Sequence, residues 1–312
     1  MNDMPTEPVT IVDNPTVSRA DLSEAVRATA LLADLTISMW SGAKTDASIG
    51  ARLKEDAGAV GDTGRYIKNL LAGCDQDLKA TRAAYAAARA AHYSHTLPWV
   101  SNPNAERQTG SRLLPNALFA RYLEEMSKLR KLAEDQLDKF ISEYPTLITQ
   151  AMSNLGGLAN AGDYPTADQV KAAFKLTFDF SPIPAASAFQ GLPDAVISSL
   201  GKALRRRQEQ AIQTSQNAMW ERVKEAVTHL VERLVDTEGK FKSSTVESVR
   251  ELITLLPGFN CTGDPRVTDV VGDIQSMLDG VDAEALRRDP GTRVETARRA
   301  QAITDKMSAW GL

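Results

Sequence analysis

The sequence has few cysteines, few aromatic residues and no long apolar run, and these shortages exclude several classes of protein. Of 312 residues only two are cysteines, Cys74 and Cys261, which is too few for a disulfide-stabilised secreted fold. No run approaches the roughly 18 apolar residues of a membrane-spanning helix, and residues 1–15 lack the basic-then-apolar order of a signal peptide. We therefore expect a soluble protein in a reducing cytoplasm, with no membrane contact.

An excess of positive charge is also missing. The chain carries 36 Lys and Arg against 40 Asp and Glu, a net charge of -4, so no global basic field attracts nucleic acid or anionic lipid. Beyond residue 18 the abundant residues are Leu, Ala, Glu, Lys and Arg, which favour helix. The composition predicts a mostly α protein.

No group of residues matches a catalytic motif. Ser41-Gly-Ala-Lys-Thr45 lacks the glycine that a phosphate-binding loop needs upstream of its Gly-Lys pair. His92 and His95 are spaced like two metal ligands on a helix, but no third ligand is close in sequence. We predict a non-enzymatic protein with no catalytic residue, no metal and no cofactor, and an enzyme is the least favoured class.

Two segments alternate apolar and polar residues as strands do: residues 35–40 and residues 176–180. An isolated strand leaves its backbone polar groups unpaired, so we expect the two segments to pair with each other. They form the small two-stranded β element of the predicted fold.

The clearest helical patterns are two seams of apolar residues. One starts near a capping Thr63 and runs from Ile67 to His92, and the other follows Pro115 to Phe140. They predict an elongated antiparallel coiled-coil arm attached to a helical body, with the loop 95–114 at its tip. Thr166, Asp264 and Asp282 stand where helices should begin, whereas Pro145 and Gly201 are candidate breaks.

The chain order then divides the protein into five predicted segments. They are a disordered leader (1–17), an N-terminal helix and strand (18–62), the arm (63–157), a second strand and long helix (158–260), and C-terminal short helices (261–312).

The tip loop is the predicted partner-binding site. A long loop without secondary structure is uncommon unless it is functional or disordered. Trp and Arg anchor interfaces more often than other residues do. The candidate anchors are Leu97, Trp99, Arg107 and Arg112. The alternative is that Trp99 folds back and caps the end of the seam.

A basic run in the long helix supports a second function. Lys202, Arg205 and Arg206 share a helical face, Arg207 follows them, and such a cluster can engage phosphates. A second basic region near the C-terminus could extend it: Arg287, Arg288, Arg293, Arg298 and Arg299. The alternatives are a nucleic-acid-binding protein or a solvated charged face with Glu209 as a partner.

Four segments together carry a resemblance to a known family. They are residues 35–46, 96–99, 112–115 and 178–184, and they resemble a family of phage and prophage-like proteins without an established activity, over residues 30–260. Relatives tend to be encoded near a MoxR-like AAA+ ATPase and a von Willebrand A-type protein. The resemblance implies a bacteriophage adaptor or scaffold in the host cytoplasm with one of these proteins as partner, and it leaves self-association open.

Overall fold

Helices dominate the chain in the computed structural model, which describes residues 19–99, 110–185, 191, 193–236 and 241–312. The helices are α1 (Arg19–Thr29), α2 (Ala47–Asp56), α3 (Gln76–His95), α4 (Phe119–Leu155), α5 (Ala167–Ala173), α6 (Asp194–Val235), α7 (Ser243–Phe259), α8 (Pro265–Leu278), α9 (Ala283–Arg288) and α10 (Pro290–Ala309). The mostly α class is confirmed. The predicted leader, residues 1–17, lies outside the described residues.

Six strands accompany the helices in the described parts of the chain. They are β1 (Ala30–Ser38), β2 (Ala43–Thr45), β3 (Ile67–Asn69), β4 (Leu97–Pro98), β5 (Arg112–Pro115) and β6 (Lys175–Ser181). One sheet has the order β4-β5-β1-β6, and β2 and β3 form a separate antiparallel pair. Residues 35–38 lie in β1 and residues 176–180 in β6, so the two expected neighbours are hydrogen-bonded strands, whereas Met39 and Trp40 follow the end of β1.

The first sheet is larger than the sequence predicted. β5 pairs antiparallel with the start of β1, Ala30 opposite Pro115 and Ala33 opposite Arg112, and β4 pairs with β5. The description of 95–114 as a loop is thus wrong for β4 and for most of β5. Strands of two and four residues are too short to show a period of two, so no alternating pattern could predict them.

The chain divides into two compact units whose segments interleave. Within the described residues, unit 1 comprises residues 19–34, 95–120 and 180–312, and unit 2 comprises residues 35–94 and 121–179. The predicted segments followed chain order, whereas each unit collects segments that are distant in sequence.

Unit 2 is built on α3 and α4, which run antiparallel. Thr81 near the start of α3 donates its hydroxyl to the Gln136 carbonyl, and His92 near its end shares a 2.9 Å hydrogen bond with Tyr122. The predicted seam of α3 is buried from Leu78 onward. The antiparallel helix pair is confirmed.

The start of α3 was predicted wrongly. The helix begins at Gln76 rather than after Thr63, and Ile67 lies on β3 with an exposed side chain. Gly73 has a φ of +77°, which ends any helical path through the turn before α3. Heptad spacing before this glycine was therefore coincidental.

Unit 1 is organised around α6, which packs against α1, α7 and α10. The apolar stripe of α6 is buried from Met219 to Leu234. Neither predicted break interrupts its helix: α6 continues through Gly201, and in unit 2 α4 continues through Pro145. Tyr144 and Leu147 are buried on either side of the exposed Pro145, so packing holds α4 together there.

Candidate functional site

The first fourteen residues of α6 form a surface segment that we call the basic segment, residues 194–207. Gly201 is its only buried residue, and regular burial of α6 starts at Gln208. Gln208 is fixed in unit 1, since its amide donates to the Pro184 carbonyl and its oxygen accepts from Arg27. The helix is therefore anchored at Gln208, while the turns before it face solvent.

The basic segment has a cationic face and an apolar strip. At about 100° per residue, Lys202, Arg205 and Arg206 fall on one side of the helix. Val196 and Leu200 fall on the other side and are exposed, by 42% and 37%. Arg207 lies between these two apolar residues in projection. The segment thus combines exposed apolar surface with four cations.

These four cations are exposed and have no hydrogen-bond or ion-pair partner among the described residues. Glu209, the expected partner, forms no ion pair with them within those ranges. In unit 1 only Lys242 shares this condition among Lys and Arg with described side chains. The others all have a polar partner: Arg27, Arg112, Arg222, Lys224, Arg233, Arg250, Arg266, Arg287, Arg288, Arg293, Arg298, Arg299 and Lys306.

The second basic region is already engaged within unit 1. Arg287 donates to the Phe241 carbonyl and Arg293 to the Leu234 carbonyl. Arg298 and Arg299 both pair with Glu295, and Arg288 pairs with Glu284. The pKa of Glu295 is lowered to about 2. The largest cause is the hydrogen bond from Arg298, and the next is the hydrogen bond from Arg299. These arginines therefore do not resemble the free cations of the basic segment.

The predicted tip residues are in different situations. Leu97 is only 2% exposed on β4, so its assignment as a partner anchor is wrong and it belongs to the core. Arg112 donates to the hydroxyl and the carbonyl of Thr96. Trp99 is half-buried, and Arg107 lies outside the described residues. Leu97 lies on a strand of only two residues, which is too short for an alternating pattern to predict its burial.

Unit 2 contains a buried charge cluster, the Lys68 cluster, made of Lys44, Asp46, Lys68 and Asp163. The Lys68 side chain is 2% exposed, and its ammonium group lies 2.8 Å from Asp46 Oδ2 and 2.5 Å from Asp163 Oδ2. It also donates to the Leu158 carbonyl at 3.1 Å. Lys44, which is more exposed, pairs with Asp163 Oδ1 at 2.8 Å. Two lysines and two aspartates thus neutralise each other.

Electrostatics fix the protonation states of the Lys68 cluster. Hydrogen bonds to Asp163 and Asp46 raise the pKa of Lys68 above its usual range. The bond from Lys68 lowers the pKa of Asp46, and bonds from Lys44 and Lys68 lower that of Asp163. Lys68 is therefore a permanent ammonium with its protons donated, which makes it a poor base or nucleophile.

Burial also shifts the pKa of other titratable side chains in unit 2. Burial raises the pKa of Tyr122, which shares its hydroxyl with His92, and burial also raises the pKa of the Cys74 thiol. Within the described ranges, no three His, Cys, Asp or Glu side chains lie close enough to hold a metal ion. None of the described helices is long and apolar enough to cross a membrane.

Comparison with family models, with curated proteins and with solved structures found no match for the chain. The resemblance to phage and prophage-like proteins therefore stays a prediction. The Lys68 cluster and the exposure of Val196 and Leu200 were missed by the sequence analysis. The sequence did predict one feature of the site. The clustering of basic residues on about one turn of a predicted helix indicated a charged surface at Lys202, Arg205, Arg206 and Arg207.

Proposed function

We propose that this protein is a non-enzymatic adaptor that binds an acidic partner protein through the basic segment of α6. One observation carries the proposal. Lys202, Arg205 and Arg206 are exposed on one side of the segment, and Arg207 is exposed between Val196 and Leu200 on the other. Within the described residues none of the four cations is neutralised.

This arrangement has the two properties of a protein-binding surface. Arginine is enriched among the residues that dominate binding energy, and complementary charge speeds and orients encounter. An adjacent apolar strip supplies the area whose removal from water stabilises the complex, at about 25 cal/mol per Å². A partner that wraps around the segment, with acidic side chains against the cations and apolar side chains against the strip, would satisfy both.

Two features favour a protein over nucleic acid as the partner. Contacts with phosphates need cations but no apolar strip, whereas exposed Val196 and Leu200 flank the cation Arg207 on the helix surface. The net charge of -4 also opposes a polyanion over distances within the Debye length, about 8 Å at physiological salt. An acidic patch on a folded partner requires only local complementarity.

The role of the charged interior supports a non-enzymatic protein. The buried ammonium of Lys68 and the carboxylates of Asp46 and Asp163 satisfy each other, so none is left as an acid or base for chemistry. The resemblance to phage and prophage-like proteins adds candidate partners, a MoxR-like AAA+ ATPase and a von Willebrand A-type protein, which tend to be encoded near members of that family.

Nucleic acid is the second candidate, and a specific observation favours it. Lys202, Arg205 and Arg206 lie within one helical turn, and all three are exposed. That spacing presents three cations to neighbouring phosphates of one strand.

The test separates the two sides of the basic segment. One variant, Arg205→Gln with Arg206→Gln, removes charge, and a second, Val196→Ser with Leu200→Ser, removes apolar surface. The matched control is Arg298→Gln with Arg299→Gln, which removes two exposed arginines that are already paired with Glu295. Binding is measured by titration against the purified MoxR-like ATPase, the von Willebrand A-type protein, and labelled single- and double-stranded DNA.

A partner protein should lose about tenfold or more in affinity with both test variants and little with the control. Nucleic acid should respond to the charge variant alone, with a flatter salt dependence. If a probe binds and neither test variant weakens it more than the control does, the basic segment is a solvated surface and the proposal is wrong.

A further inference from the structure

β6 is the last strand in the order β4-β5-β1-β6. β1 pairs with one of its edges, and no described strand pairs with the other. The outer edge of a terminal strand carries backbone N–H and C=O groups that can accept another strand. The part of β6 in unit 2, residues 175–179, is long enough to do so.

The side chains of this part alternate cleanly. Lys175, Thr177 and Asp179 are exposed on one face, while Leu176 is buried and Phe178 half-buried on the other. Neither Lys175 nor Asp179 has an ion-pair partner within the described ranges. On this edge strand, Lys175 lies two residues before Thr177 and Asp179 lies two residues after it. Neither charge is paired within the described ranges.

We propose that β6 pairs antiparallel with β6 of a second copy of this chain, with Thr177 of each copy at the two-fold axis. In that register Lys175 of each copy lies opposite Asp179 of the other, so two cross-strand ion pairs form. On the other face Leu176 lies opposite Phe178. Directly opposed side chains lie about 5 Å apart, close enough for both contacts.

The charges select this register against its neighbours. Centring the pair on Lys175 sets lysine against lysine, and centring it on Asp179 sets aspartate against aspartate, both unfavourable. Centring it on Phe178 places Lys175 opposite Ser181 and leaves both charges unpaired. Only the register centred on Thr177 satisfies Lys175 and Asp179 together.

Charged residues on edge strands usually prevent pairing with other chains. A strand with two lysines would do so for every partner, including its own copy. The opposite charges of Lys175 and Asp179 instead admit a second β6 and disfavour strands of other patterns. The pairing is short, so the dimer should be reversible and dependent on concentration.

A disulfide trap tests the register in the full-length chain. Thr177→Cys places a thiol at the two-fold axis, where the two Cα atoms fall within the range that a disulfide needs. Ser181→Cys is the matched control: it is also exposed on β6 and takes no part in the proposed ion pairs, and its copies are separated by about 26 Å along the strands at about 3.3 Å per residue. Both variants and the wild type, which retains Cys74 and Cys261, are oxidised in parallel.

We expect a covalent dimer for Thr177→Cys well above the level seen for Ser181→Cys and the wild type. Equal cross-linking of the two variants, or none with Thr177→Cys, would overturn the proposed register.

A charge swap tests the same pairing without a covalent bond. Sedimentation velocity over a concentration series measures the dimer fraction of the wild type, of Lys175→Asp, of Asp179→Lys and of the double variant. Each single reversal creates two like-charge pairs per dimer and should weaken association by about tenfold or more. The double variant restores two opposite-charge pairs and should recover the wild-type affinity.

All four residue changes are on exposed positions, and circular dichroism checks that the fold is kept. A wild type that stays monomeric at its highest attainable concentration contradicts the proposal. So does a double variant that associates no better than the single reversals. Neither result bears on the basic segment of α6, which consists of other residues and has its own test.

Discussion

Lys68 and Arg206 carry the same charge in opposite surroundings. Lys68 in unit 2 is 2% exposed and gives its ammonium to two carboxylates and a carbonyl oxygen. Arg206 in unit 1 is exposed and has no partner among the described residues. The first has exchanged water for protein contacts made within the fold, and the second has kept its water and remains available to another molecule.

The two surroundings correspond to two roles: a paired, buried charge belongs to the fold, and an unpaired, exposed charge is available for binding. A buried ion is tolerated when it is paired and hydrogen-bonded, and Lys68 meets this condition through Asp46, Asp163 and the Leu158 carbonyl within the fold. Exposed cations contribute little to the stability of the fold, so they can be changed without unfolding the protein. Removing charge should therefore affect folding in unit 2 and binding in unit 1.

The largest expected effect comes from Lys68→Met, which keeps the side-chain volume and removes the ammonium. Asp46 and Asp163 then face each other with only Lys44 as compensation. Breaking a buried pair on one side costs about 3–5 kcal/mol of unfolding free energy, and the partial exposure of Asp46 favours the low end. Urea denaturation measures the loss.

Lys44→Met is the matched control for that change. Lys44 pairs with the same Asp163, but its side chain is 49% exposed, so its removal should cost about 1 kcal/mol or less. Equal costs for the two variants would show that burial of Lys68 does not set its contribution.

A smaller effect is expected from pH. The pKa values of Asp46 and Asp163 are lowered in the folded chain, while the unfolded value is about 3.9, so their stabilisation is complete above about pH 4 and is lost as pH falls below it. The raised pKa of Lys68 acts in the other direction, and its share is lost above about pH 10.4. Urea midpoints measured across both limits should show a plateau between them.

Asp163→Asn tests whether Asp163 causes the loss of stability below about pH 4. This variant should start less stable and lose less per pH unit below about pH 4 than the wild type, because one carboxylate no longer titrates. Glu295→Gln is the exposed counterpart, with a lowered pKa of about 2 but strong solvent screening around it. If Glu295→Gln reduces this acid loss of stability more than Asp163→Asn does, the comparison between buried and exposed charge fails.

The smallest effect on stability should come from the basic segment. Arg205→Gln with Arg206→Gln should change the unfolding free energy by no more than about 0.5 kcal/mol, because exposed residues without partners contribute little. A thermal or urea unfolding curve checks this. A loss as large as that of Lys68→Met would mean that these arginines hold unit 1 together and are not a free surface.

Local features were predicted well where a short stretch of sequence is sufficient. Thr166 caps α5 in a reciprocal pair with Gln169, Asp264 caps α8 before Pro265, and Asp282 caps α9. The seam of α3 from Leu78 to His92 and the alternation of β6 also follow from side-chain periodicity alone. These features depend on neighbours one or two turns away, so the sequence contains them.

The sequence by itself determined the helical class, the caps, the two apolar seams and the clustering of Lys202, Arg205 and Arg206. Only the tertiary structure decided that β4 buries Leu97, that β5 extends the sheet, and that Lys68 joins Asp46 and Asp163. It also decided that the basic segment is left open while the arginines of α10 are paired. The physical reason is distance along the chain: Lys68 and Asp163 are 95 positions apart, and no local period encodes which distant charges will share a dry site.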